Sequence, residues 1–145
     1  MTLQRLGQPA ARWLALALAA FALAGCGTIK NQQTLLASTL ESYASVIRWG
    51  NFDEALSFVD PATLKAHPVT PLDLQRYQQV RVSGYNEQPA RHTGEDDVRQ
   101  TVEITIVNIN TQAVRSIIDT QTWHWDAAAK RWWLTSGLPN ITASN

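Results

Sequence analysis

The stretch Trp123-His124-Trp125-Asp126-Ala127-Ala128-Ala129-Lys130-Arg131-Trp132-Trp133-Leu134 decides the fold. Two short runs rich in aromatic residues flank four residues, Ala127–Lys130, that suit a hairpin loop. A four-residue loop sets the register: Asp126 faces Arg131, Trp125 faces Trp132 and Trp123 faces Leu134. Side chains alternate along a strand, so Trp123, Trp125, Trp132 and Leu134 share one face. His124 and Trp133 lie opposite each other on the other face. A slip of one residue would reverse every assignment.

Working outward, the period of two extends upstream. Val114–Asp126 reads as one long strand. Val98–Asn108 is another, with Val98, Val102, Ile104 and Ile106 against Arg99, Thr101, Glu103 and Thr105. Gln78–Gln88 is a third. Residues 89–97 contain Pro89, Gly94 and three acids, and read as an exposed connection. The strand Arg131–Leu138 ends at Pro139, and Asn140–Asn145 reads as a polar tail, with residues 141–145 outside the domain.

Before residue 78 the period is helical. Leu35, Leu36, Leu40, Tyr43, Val46 and Ile47 recur at spacings of three and four, which predicts a helix over 32–49. Gly50-Asn51 stops it. Asp53-Glu54 begin a second, short helix. Asp60-Pro61 supplies a cap and a first helical residue for Pro61–Ala66. Thr70-Pro71-Leu72-Asp73 repeats the device, with Asp73 placed as the acid of a capping box. Helices followed by a meander of antiparallel strands predict an α+β domain over 32–140.

The N-terminal residues read differently. Residues 1–25 hold Arg5 and Arg12 and no acid, and residues 13–24 are uninterruptedly apolar. Twelve helical residues rise about 18 Å, short of a bilayer core of roughly 30 Å. A basic start, a short apolar run and small residues after it predict a secretory signal peptide over 1–25. Leu23-Ala24-Gly25-Cys26 resembles the lipobox of bacterial lipoproteins. That resemblance implies cleavage between Gly25 and Cys26, and lipid on the Cys26 thiol and on the new amino group. Cys26 is the only cysteine, so no intramolecular disulfide is possible within the sequence. Gly27, rather than Asp, follows it; by the enterobacterial sorting rule this implies the periplasmic face of the outer membrane. Residues 26–31 are then the lipidated Cys and a short tether.

Charge excludes further classes. The chain has 12 Lys+Arg and 12 Asp+Glu, and all 12 acids follow Cys26. A neutral chain lacks the basic field that collects phosphates, so no nucleic-acid partner is expected. About 120 residues suffice for a single core.

The mature part resembles the nuclear transport factor two-like family, which includes ketosteroid isomerase and polyketide cyclases. Tyr43, Ile47-Arg48-Trp49, Gly50-Asn51-Phe52-Asp53-Glu54-Ala55, Asp60-Pro61, Trp132-Trp133-Leu134 and Leu138-Pro139 carry the resemblance. Together they look closest to small proteobacterial lipoproteins of this fold. The resemblance implies a curved, cone-like sheet of about four strands wrapped around the first helix. It also implies a cavity drawing on Tyr43, Ile47, Trp123, Trp125 and Trp132. A fold supplies no function by itself.

Isomerases of this fold use a pocket carboxylate as base and a Tyr or protonated acid as oxyanion donor. Asp119 shares parity with Trp123 and Trp125, which makes it the inward acid, with Tyr43 or Tyr85 as partner. Pairing with Arg115 or Arg99, or exposure near a bulge, is the structural alternative. Glu103 points outward. Trp123, Trp125 and Trp132 fill a core or line a pocket. His124 and Trp133 form a candidate partner surface, for a homodimer or an envelope protein. Arg48 complements the end of the first helix or stands at the mouth of the cavity. His67, His92 and His124 show no metal-ligand spacing, so no metal and no cofactor are expected. Phosphate loops and nucleophile elbows are absent from the sequence.

These readings converge on a lipid-anchored, non-catalytic binding or interaction module in the periplasm. An isomerase- or cyclase-like enzyme built on Asp119 and a purely structural envelope lipoprotein are the alternatives.

Overall fold

The computed structural model describes residues 31–143, and the expected signal peptide over 1–25, Gly25, Cys26 and the expected tether to residue 30 lie outside them. The domain is α+β: helices come first, and a curled antiparallel sheet follows.

Helix α1 covers 31–48. Gly50 takes φ +73, a conformation that costs a side chain-bearing residue energy. Its N–H donates to Ile47 O at 2.9 Å and the Asn51 N–H donates to Val46 O at 3.1 Å, so two carbonyls left open at the helix end are satisfied. Helix α2, Phe52–Ala55, runs into a 3-10 turn, Leu56–Phe58. Helix α3, Pro61–Ala66, is capped by Asp60, whose carboxylate accepts from Thr63 N–H at 2.9 Å. Helix α4, Pro71–Tyr77, carries the full capping box between Thr70 and Asp73.

The strands are β1 (Val80–Glu87), β2 (Arg91–His92), β3 (Asp97–Asn108), β4 (Val114–Asp126) and β5 (Arg131–Leu134). The order is β1-β3-β4-β5, with β2 also on β3. The final hairpin has the register set by its four-residue loop: Asp126 pairs with Arg131, Trp125 with Trp132 and Trp123 with Leu134. Asp126 Oδ1 closes the loop by accepting from Ala128 and Ala129 N–H, each at 2.9 Å.

Three details differ from the sequence reading. The connection 89–97 contains β2, which continues the pairing of β1 along β3 beyond Pro89, a residue with no N–H to donate. β5 stops at Leu134, because Gly137 at φ +78 turns the chain before Pro139. The tail reading of 141–145 fails at its start. Ile141 is buried, and the Arg115 guanidinium, inward by strand parity, donates to the carbonyls of Ile141 and Ala143.

A bulge at Ser83 separates the pairs Val82–Ile106 and Gly84–Thr105. Glycine eases the close approach there, since a Cβ on Gly84 would stand 3.1 Å from Thr105 Oγ1. The bulge turns Tyr85 onto the inner face, where it is buried. That face carries Val98, Val102, Ile104 and Ile106 from β3, Ile117 and Trp123 from β4, and Trp132 and Leu134 from β5. Tyr43, Ala44 and Ile47 of α1 complete the core.

Candidate functional site

The hollow of the sheet is mostly hydrocarbon, and its exceptions mark the candidate site. Strand parity aims Asp119 and Gln121 inward, and both are buried. Asp119 lies opposite Val102, and Gln121 opposite Gln100. The Gln121 amide donates to Asp119 Oδ2 at 2.9 Å and to the Tyr85 hydroxyl at 3.0 Å. Its carbonyl accepts from the Trp123 indole N–H at 3.4 Å. One neutral amide thus links an acid, a phenol and an indole. Gln100 donates outward along the sheet to Gln88 O at 3.1 Å.

Tyr43 enters from α1. Its ring meets Trp123 edge-on at 5.2 Å and Phe58 at 5.5 Å. The ring is fully buried, and among the described residues its hydroxyl has no hydrogen-bond partner. A buried hydroxyl without a partner is costly.

The electrostatics follow from burial. Desolvation pushes the Asp119 carboxyl from 3.8 up to about 6, against the Gln121 hydrogen bond, which lowers it. Burial pushes Tyr85 up to about 12; the Gln121 bond lowers it and the charge of Asp119 raises it. Burial first, and then the charge of Asp119, holds the Tyr43 phenol well above its ordinary 10. Asp119 and the two phenols therefore feel one another, although neither phenol is bonded directly to it.

The rim is charged. The Arg48 guanidinium sits 5.0 Å over the Tyr85 ring and 3.8 Å from the Glu87 carboxylate.

The other residues singled out in the sequence separate into two groups. Ile47 and Trp123 sit in the hollow, and Trp125 packs on Trp132 at 5.6 Å toward its β5 side. His124 and Trp133 lie on the outer face, where each is engaged. His124 Nδ1 is 2.8 Å from Asp97 Oδ1. The Arg131 guanidinium lies 3.7 Å over the Trp133 ring, and the Trp133 N–H reaches Asp126 Oδ2 at 3.4 Å. Asp119 is paired with neither Arg99 nor Arg115: its carboxylate accepts from Gln121, and Arg115 holds the C-terminal segment.

Sequence reasoning missed Gln121 and Tyr77. The signal for Gln121 was its parity with Asp119, Trp123 and Trp125. Tyr77 stacks on Phe52 at 4.4 Å and donates to Pro139 O at 2.9 Å. It also lines a groove of about 420 Å³ with Val59, Leu64, His67 and Leu138. That volume is in the range of small-molecule sites, and Thr63, Asp73, Thr135 and Ser136 add polar groups to its lining.

Among the described residues no cluster of three or more His, Cys, Asp or Glu could hold a metal, and no helix is long and apolar enough to cross a membrane. No family model, curated protein or solved structure matches the chain.

Proposed function

We propose that the protein is a lipid-anchored binding module of the periplasmic face of the outer membrane. In this reading its cone-like, nuclear transport factor two-like domain takes a small ligand at Asp119, Gln121 and Tyr85. The anchor rests on the lipobox Leu23-Ala24-Gly25-Cys26, and the fold name on the motifs quoted above.

One observation carries the binding site. Asp119 is buried in the core, and among the described residues one amide donor offsets its desolvation. A core does not need such a group, and uncompensated buried acids concentrate at functional sites. The Tyr43 hydroxyl, whose titration responds to the charge of Asp119, adds a buried donor without a partner among the described residues. The ligand suited to this arrangement is apolar over most of its surface, with one polar edge that meets a carboxyl and a phenol.

The test is native mass spectrometry of protein extracted from membranes of the producing cell. A co-purified small molecule is expected on the wild type and is expected to be lost in Asp119→Asn with folding intact. Equal occupancy in the two proteins overturns the site. The anchor is tested by Cys26→Ser, which leaves uncleaved precursor; normal processing in that variant overturns it.

The position of Asp119 near pH 6 favours a second reading, a proton-transfer enzyme of the isomerase type. Solvent deuterium entering a carbon of the co-purified molecule, and failing to enter with Asp119→Asn, would select the enzyme over the binding module.

A further inference from the structure

Trp49 is 81% exposed at the end of α1, the most exposed of the large apolar side chains described. Its backbone is fixed, because its N–H donates to Ser45 O at 3.1 Å and the Gly50 turn follows at once. The indole is therefore presented outward by a rigid helix end.

Around it lies a groove of about 260 Å³ that also draws on Arg48, Arg81, Val82 and Ile109. Ile109 is 44% exposed, and its N–H donates to Gln79 O at 2.9 Å, which ties the turn after β3 to the start of β1. Two arginines and no carboxylate line this corner. Arg48 is shared with Glu87 at 3.8 Å, and Arg81 adds an exposed cation. A large exposed indole with adjacent apolar side chains marks an interaction site. Indole and guanidinium beside short aliphatic side chains are the side-chain set of the membrane–water interface.

We propose that the corner of Trp49, Arg48, Arg81 and Ile109 is a second membrane contact, seated in the headgroup layer of an anionic leaflet. This rests on the lipid-anchor reading. The four residues between Cys26 and the start of α1 can extend no further than about 14 Å, so an anchored domain stays at the bilayer. Helix α1 is about 27 Å long. Laid along the surface, it brings Trp49 to the headgroups. The exposed side chains of α1 allow that orientation: Ser38, Ser42 and Ser45 are small, and Glu41 is the only charged residue between Leu35 and Ser45. The contact would fix the domain's orientation on the membrane, which a tether alone does not.

The experiment uses full-length protein extracted from cell membranes and reconstituted into vesicles of phosphatidylcholine, with or without phosphatidylglycerol. The acyl chains are brominated near the headgroup, and tryptophan emission is read. The wild type is expected to be quenched, more strongly with phosphatidylglycerol. Trp49→Phe is expected to lose that quenching, and Arg81→Ser to lose its dependence on phosphatidylglycerol. Equal quenching of wild type and Trp49→Phe overturns the contact. So does a wild type that floats with vesicles but is not quenched, which leaves the anchor standing and points to a protein partner for Trp49. A chain that fails to float with either vesicle overturns contact and anchor together.

Discussion

The Gln121 amide donates to the Asp119 carboxylate across 2.9 Å, and among the described residues no cation pairs with that carboxylate. A neutral amide offsets only part of the cost of burying an anion. The domain therefore keeps, in the hollow of its sheet, an acid whose charge works against folding.

This gives a pH signature with a definite sign. Asp119 titrates near 6 in the folded chain and near 3.8 in an unfolded one. The folded state holds the proton more tightly. The stabilisation is therefore fully present below pH 4 and is lost as pH rises through 6. The difference between those values corresponds to about 3 kcal/mol. Asp119→Asn removes this dependence. Urea unfolding of both proteins at pH 4 and pH 8 should show their stability difference changing by about that amount; a constant difference refutes it.

Gln121→Leu should be strongly destabilising despite its similar size. It leaves Asp119, Tyr85 and the Trp123 indole without their shared partner. The expected loss is about 1–3 kcal/mol for groups left buried and unpaired. The carboxyl should also titrate higher, because the Gln121 bond lowers it. Carbon-13 chemical shifts of Asp119 against pH read the second effect directly.

Tyr43→Phe separates stability from binding. The hydroxyl is buried with no partner among the described residues, so deleting it should leave stability unchanged or raise it by up to about 1 kcal/mol. Occupancy by the co-purified ligand should fall. A variant that loses stability and keeps its ligand would show that this hydroxyl serves packing.

The caps of the short helices should matter more than their length suggests. Asp60→Ala and Thr70→Ala each remove an acceptor for a helix N–H, at 2.9 Å and 3.2 Å. A loss of about 1 kcal/mol apiece is expected. Thermal unfolding checks this, and a change near zero for Asp60→Ala would mean that Pro61 alone starts α3.

Arg115→Ala should release the end of the chain. Its guanidinium holds the carbonyls of Ile141 and Ala143. Amide hydrogen exchange over 140–143 should speed up, with protection of β3 and β4 unchanged. Unaltered exchange would mean that burial of Ile141 suffices to hold the segment.

What the sequence determined by itself was local or periodic. Loop length and alternation gave the Trp125–Trp132 pairing, and with it the inward direction of Asp119. Asp60-Pro61 and Thr70-Pro71-Leu72-Asp73 announced two helix starts, because a cap and its partner are three residues apart and need no tertiary context. What only the tertiary structure decided involves groups distant along the chain. Gln121 meets Tyr85 because a bulge at Ser83 resets the facing of β1, and no alternation rule foresees one added residue. Arg131 covers Trp133, and Arg115 draws Ile141 inward, through long side chains whose directions depend on their neighbours. Asp119 is the clearest case: parity aimed it inward, but its titration near 6 comes from desolvation in the core, a burial that exists only once the sheet has curled.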